Sequence, residues 1–162
     1  MPVFYLDTSA LTKLYRSEIG TPVIERLVNT RSATDRFFTS VLTVLELTST
    51  VTRLMKGGEM RERSAGLIFG QLLEATRSWL REWPLDNGTV SRAIPLAKEY
   101  QLRAGDALQM ATALEIFAIV PEVNVAVVSA DRNLLRACNA HGVVVLDPAR
   151  PDALDLLARL RG

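Results

Sequence analysis

Apolar positions along this chain follow two periods in alternation. Short continuous apolar runs, mostly rich in β-branched or aromatic residues, occur at 3–6 (VFYL), 37–40 (FFTS), 124–130 (NVAVVSA) and 143–146 (VVVL). Such runs predict buried strands. A weaker candidate lies at 80–86 (LREWPLD), where Pro84 suits a sheet edge or a strand end. Between the strands, apolar residues recur at helical spacing. Helices are predicted at about 9–17, 21–32, 41–56, 59–80, 87–101, 106–118, 132–140 and 152–161. In 59–80, Met60, Ser64, Leu67, Ile68, Leu72, Ala75 and Trp79 share one face. The KGG run at 56–58 separates that helix from its predecessor.

This alternation of strands and helices predicts an α/β fold. The expected form is a three-layer α/β/α sandwich around a mostly parallel sheet of about five strands. With 162 residues, no repeat and no long linker, a single domain over 1–162 is expected. In such sheets ligands collect outside the carboxyl ends of the strands.

That rule bears on four acids. The first strand stops abruptly in Asp7, Thr8 and Ser9. The strand VAVV runs out into Ser129 and Asp131, with a helix following. Asp106 follows Gly105 where a helix is predicted to begin, and Glu46 interrupts a largely apolar helical stretch. Each has a local explanation. Asp131 is a good helix N-cap, and Asp7 could cap the first helix in competition with Thr8 and Ser9. Asp106 with Gln109 imitates a capping box. Glu46 shares a face with Ser49, Thr50 and Arg53 and could simply be solvated. Together they admit another reading. Carboxylates crowded at one sheet edge repel unless cations neutralise them. Oxygen ligands without nearby His or Cys select Mg²⁺ or Mn²⁺. Such a cluster suits metal-assisted attack on a phosphodiester, with one ion activating water and a second able to stabilise the leaving oxygen.

Composition narrows the alternatives. The chain has one cysteine, Cys138, and one histidine, His141. An intramolecular disulfide is impossible, and a zinc site would lack ligands. His141 lies in a helix-to-strand turn, where a surface helix-end role is the plainer assignment. At 48% apolar residues, the chain is too hydrophobic to be disordered. No apolar stretch approaches the roughly 20 residues of a membrane span, and no charged-then-hydrophobic leader precedes the first strand. A soluble cytoplasmic protein with no membrane partner is expected. The net charge of +1 provides no global attraction to nucleic acid, yet 16 Arg stand against 3 Lys. Arg grips phosphate bidentately, although codon bias would produce the same excess. No phosphate-binding glycine loop is present.

YLDTSAL, the isolated Glu46, LRAGDALQMATA and VVSADRNLL, in this order and spacing, resemble the PIN domain family. The resemblance covers nearly the whole chain, and its compact length looks like the VapC-type toxin ribonucleases of prokaryotic toxin–antitoxin pairs. It implies that Asp7, Glu46, Asp106 and Asp131 are the acidic metal-binding and catalytic set, served by Mg²⁺ or Mn²⁺. Ser9 and Ser129 match small polar positions that bond to the acids or to substrate phosphate. The implied reaction is endonucleolytic hydrolysis of RNA, leaving a 5′-phosphate and a 3′-hydroxyl. One departure is Gln109, where members often carry His. The implied partners are RNA and a cognate VapB-type antitoxin whose C-terminal segment blocks the acids.

Other residues gain candidate purposes from this reading. Thr8 and Ser9 begin the first helix and would present hydroxyls to the site. Lys13, Arg16, Arg53, Lys56, Arg103, Arg132 and Arg136 flank the acids and could hold phosphates, or form an ordinary mixed-charge surface. Tyr15 and Tyr100 could stack on bases, whereas Trp79 suits helix packing better. The helices around 21–32, 41–56 and 59–80 carry more apolar surface than one sheet face needs. A groove for a partner helix and a homodimer interface are therefore expected. Two other functions remain: a catalytically silent PIN-like module binding RNA or protein, and a Mg²⁺-dependent phosphatase. The phosphatase would want a second Asp where Ser9 stands.

Overall fold

The computed structural model of the chain describes residues 1–120 and 124–162. Five strands form one sheet: β1 (Val3–Leu6), β2 (Arg36–Ser40), β3 (Leu80–Trp83), β4 (Val125–Val128) and β5 (Val145–Leu146). Their order is β3-β2-β1-β4-β5, and every pairing is parallel. The central strand β1 has all four residues buried, as a strand covered on both faces requires.

Side chains of β1 alternate between two cores. Phe4 and Leu6 join the first core, built with α1 (Thr8–Thr12), α2 (Thr21–Asn29), α3 (Val41–Lys56), α4 (Glu62–Ser78) and α8 (Ala153–Arg161). Val3 and Tyr5 join the second, built with α5 (Asn87–Tyr100), α6 (Ala104–Ile119) and α7 (Arg132–Ala140). The expected three-layer α/β/α sandwich is present, with a wholly parallel sheet. The weak strand containing Trp83 is real and lies at the sheet edge, where the following Pro84 removes no ladder bond.

Three local expectations are corrected. The first helix ends at Thr12 rather than about residue 17. Leu14 and Tyr15 donate to carbonyls three residues back, at 3.0 Å each, so the chain tightens into turns. The helix expected at 106 starts at Ala104, capped by the backbone of Arg103, and so Asp106 lies inside its first turn. No Asp106–Gln109 capping box forms, because Gln109 is buried and bonded elsewhere. On α4 the buried stripe is Ala65, Ile68, Leu72 and Ala75, whereas Leu67 is exposed.

Candidate active site

The carboxyl ends of β1 and β4 are adjacent, because Leu6 pairs with Val128. Asp7 follows Leu6 directly, and its backbone N–H donates to the Val128 carbonyl at 3.2 Å. On the other side, Thr39 Oγ1 donates to the Leu6 carbonyl at 2.7 Å, and β2 turns at once into α3, which carries Glu46. The first turn of α6 delivers Asp106, and Asp131 caps α7 just beyond β4. Asp7, Glu46, Asp106 and Asp131 thus reach one cleft of about 650 Å³ from separate elements. Thr8, Ser9, Ser49, Thr50, Arg53 and Gln109 share its wall.

Asp7 is almost fully buried and heavily bonded. Its Oδ1 accepts from the Ala10 N–H at 2.9 Å, which makes Asp7 the N-cap of α1. The Ser9 hydroxyl lies 2.8 Å from the same oxygen, and the Ser129 hydroxyl donates to Oδ2 at 2.7 Å. Burial nevertheless dominates. It pushes the Asp7 carboxyl up to about 6, and the nearby Asp131 charge adds to the rise against the opposing hydrogen bonds. Asp106 is also raised, first by burial, then by Asp131 and Glu46, with Arg103 opposing. These mutual effects place the acids within electrostatic reach of one another.

Both local explanations for the strand-end acids hold alongside the cleft. Asp131 Oδ1 accepts from the N–H groups of Asn133 and Leu134 at 2.8 and 3.0 Å. Capping uses one oxygen of Asp131, and one remains for the cleft. Ser129 is fully buried, so it cannot touch a ligand and acts through Asp7. It also accepts from the Asp131 N–H at 2.9 Å, tying the two acids to one hydroxyl. Thr8 donates to Glu46 Oε2.

The flanking cations divide. Arg53 lines the cleft, its guanidinium 3.3 Å from Thr50 Oγ1. Arg103 is exposed and reaches Asp106 only electrostatically. Lys13 is buried and paired with Glu18 at 3.3 Å, which removes it from any phosphate-binding role. Arg136 donates to the Tyr100 carbonyl, and Tyr100 bonds to His141 at 2.9 Å, away from the cleft lining. Trp79 packs edge-on against Phe37, in the packing role its pattern favoured. Beside the cleft, and sharing Thr50 with it, lies a small pocket of about 30 Å³ lined by Tyr15, Arg16, Leu47, Val51, Leu54 and Met60.

The four acids offer only oxygen donors, with no His or Cys in the lining, which suits a hard cation such as Mg²⁺ or Mn²⁺. Among the described residues, no three His, Cys, Asp or Glu side chains converge closely enough to cage an ion unaided. Mg²⁺ does not need such a cage. It keeps several waters and takes one or two carboxylates plus substrate phosphate. Residue positions alone therefore suggested a tighter cluster than the fold builds.

The Gln109 amide has a role that its spacing from Asp106 does not suggest. It sits in the cleft wall with its Nε2 at 2.9 Å from Thr43 Oγ1 and 3.4 Å from Glu46 Oε2. In the sequence it stands out only as half of an apparent capping box with Asp106 and as a departure from the His that family members often carry, and neither points to Glu46.

Residues 4–140 match the family model of the PIN domain. No curated protein shows a significant match to this chain. Solved structures of similar fold include FitAcB from Neisseria gonorrhoeae, at 18% identity and a TM-score of 0.65, covering 90% of this chain and 97% of that one. PAE2754 from Pyrobaculum aerophilum is similar at 18% identity and 0.62, over 99% of this chain and 97% of that one. VapBC-1 from nontypeable Haemophilus influenzae follows at 16% and 0.61, over 91% and 99%.

Proposed function

This chain belongs to the PIN domain family, and from that membership we propose that it is a metal-dependent endoribonuclease, the toxin of a toxin–antitoxin pair. The observation that carries the reading is the convergence of Asp7, Glu46, Asp106 and Asp131 on one open cleft at the carboxyl edge of the sheet. These four residues would hold Mg²⁺ or Mn²⁺. The ion would supply Lewis acidity to water and to the scissile phosphate.

The chain's own groups do the rest. Thr8 and Gln109 hold Glu46, while Ser9 and Ser129 hold Asp7. Arg53 stands at the wall, where its guanidinium can grip a neighbouring phosphate of the strand and offset the repulsion between acids and RNA. In the hydrolysis, the water oxygen bonds to phosphorus and the bond to the 3′ oxygen breaks. One water proton ends on that 3′ oxygen, so the products are a 5′-phosphate and a 3′-hydroxyl.

The antitoxin part of the proposal draws on the likeness to FitAcB and VapBC-1. Leu67 and Leu73 of α4, and Val90 and Ile94 of α5, are exposed apolar residues available to an antitoxin or to a second copy in a homodimer. Among the described residues, no helix is long and apolar enough to cross a membrane.

The second reading is a silent module that binds RNA or protein through the same cleft. Incubation of purified protein with a cellular RNA pool separates the two. Cleavage that requires Mg²⁺ or Mn²⁺, stops with EDTA and disappears in Asp7→Asn supports the nuclease. Intact RNA across several pools, with well-folded and antitoxin-free protein, favours the silent module.

A further inference from the structure

Gln109 lies mid-way along α6 on a face otherwise given to core, between buried Ala107 and Met110. A buried amide must find partners at both ends. Its Oε1 accepts from the hydroxyl of Tyr5, which is wholly buried on the central strand. Its Nε2 lies 2.9 Å from Thr43 Oγ1, 3.3 Å from Thr8 Oγ1 and 3.4 Å from Glu46 Oε2. One amide hydrogen therefore serves Thr43, and the other is shared between Thr8 and Glu46. The Thr8 hydroxyl donates to the same Glu46 oxygen. The other carboxylate oxygen, Oε1, stands over Gly105, where a Cβ would come within 3.3 Å of it.

The direction of the amide matters. Turned over, its carbonyl would face a carboxylate and repel it. The Tyr5 phenol donates to Oε1, with the Thr43 hydroxyl also 3.2 Å from it, so the amino end faces Glu46. We propose that Gln109, oriented by Tyr5, is a positioning residue that ties Glu46 back through Oε2 and so presents Oε1 to a cation in the acid cleft. The inference rests on the reading of that cleft as a cation site. Glu46 has a long side chain with three rotatable bonds, and ordering it beforehand lowers the entropy lost when the ion arrives. An amide does this without positive charge. A Lys or Arg in the same place would compete with the cation for the carboxylate.

The test is Mn²⁺ binding without RNA, read as free Mn²⁺ by electron paramagnetic resonance. Wild type would be compared with Gln109→Met, which keeps the volume and loses the hydrogen bonds, and with Tyr5→Phe, which loses only the hydroxyl. Outer partners of a metal ligand typically contribute about tenfold or more to affinity. Gln109→Met is expected to weaken Mn²⁺ binding about tenfold, and Tyr5→Phe severalfold, with native circular dichroism in both. In cleavage, kcat of the variants should recover as Mn²⁺ is raised while KM for RNA stays unchanged. Should Gln109→Met fail to fold, Tyr5→Phe decides. If wild type binds Mn²⁺ and the folded variants bind it equally well, the positioning role is wrong and the reading of the cleft survives. If wild type binds no Mn²⁺, both fall.

Discussion

The Ser129 hydroxyl donates to Asp7 Oδ2 at 2.7 Å, joining the ends of two neighbouring strands that are 122 positions apart in the chain. The Ser129 Oγ in turn accepts from the Asp131 N–H at 2.9 Å, so one buried hydroxyl sets the spacing of two acids. Ser129→Ala removes both bonds. It should destabilise the protein by about 1–2 kcal/mol, the usual effect of stranding buried hydrogen-bonding groups. RNA cleavage should fall about tenfold, the scale seen for partners that orient metal ligands. Urea unfolding and initial cleavage rates check both, and unchanged cleavage would show that Asp7 needs no such support.

Asp7 should destabilise the cation-free protein at neutral pH. Its carboxyl sits at about 6 when folded, and a carboxyl in the unfolded chain titrates near 3.8. The folded state therefore holds more protons between these values, and stability falls as pH rises through that window. Asp106, also raised, acts in the same direction. In EDTA, the stability of Asp7→Asn minus that of wild type should grow by about 2 kcal/mol between pH 4.5 and pH 7. Parallel urea titrations at the two pH values measure it. A difference that does not change with pH would place Asp7 in a more solvated setting than its burial indicates.

Gly20 has φ of +91°, and a Cβ there would meet the backbone of Pro148 at 2.8 Å. Both the left-handed conformation and the close approach exclude a side chain. Gly20→Ala should lower stability by about 2 kcal/mol or more, through strain at the entry to α2. A thermal melt would show it, and an unshifted midpoint would mean the loop after β5 yields freely.

Arg161 clasps α8 to the end of α2 and the loop before β2. It pairs with Asp35, whose side chain is 1% exposed, at 2.7 Å, and donates to Thr30 Oγ1 and the Leu27 carbonyl. Removing one partner of a buried pair leaves an uncompensated charge. Arg161→Ala should destabilise by about 3 kcal/mol. Arg161→Ala combined with Asp35→Asn should cost less than the sum of the two single substitutions in a double-mutant cycle. Independent, additive effects would show that the pair is not coupled.

The order of elements follows from periodicity alone. Continuous apolar runs such as VFYL and VAVV have no polar face, so they must be covered on both sides, and a parallel sheet between helix layers follows. That geometry also explains why acids within three residues of the ends of such runs, Asp7 and Asp131, share one edge. The acids that lie on helices, Glu46 and Asp106, were legible as isolated charges, and their approach to the cleft depended on where α3 and α6 lie.

What only the tertiary structure decided is which partner each polar group takes. Lys13 follows Asp7 by six residues, yet it is buried against Glu18. From the sequence Ser129 could bond to an acid or to a substrate phosphate, and burial behind Asp7 leaves it only the acid. Gln109 imitates half of a capping box, yet it bonds to Tyr5, Thr43, Thr8 and Glu46 from other elements. The physical reason is common to all three. Apolar burial is non-directional and leaves a periodic trace along the chain. A hydrogen bond or ion pair depends on distance and direction, and its partner can come from any element that packing brings near.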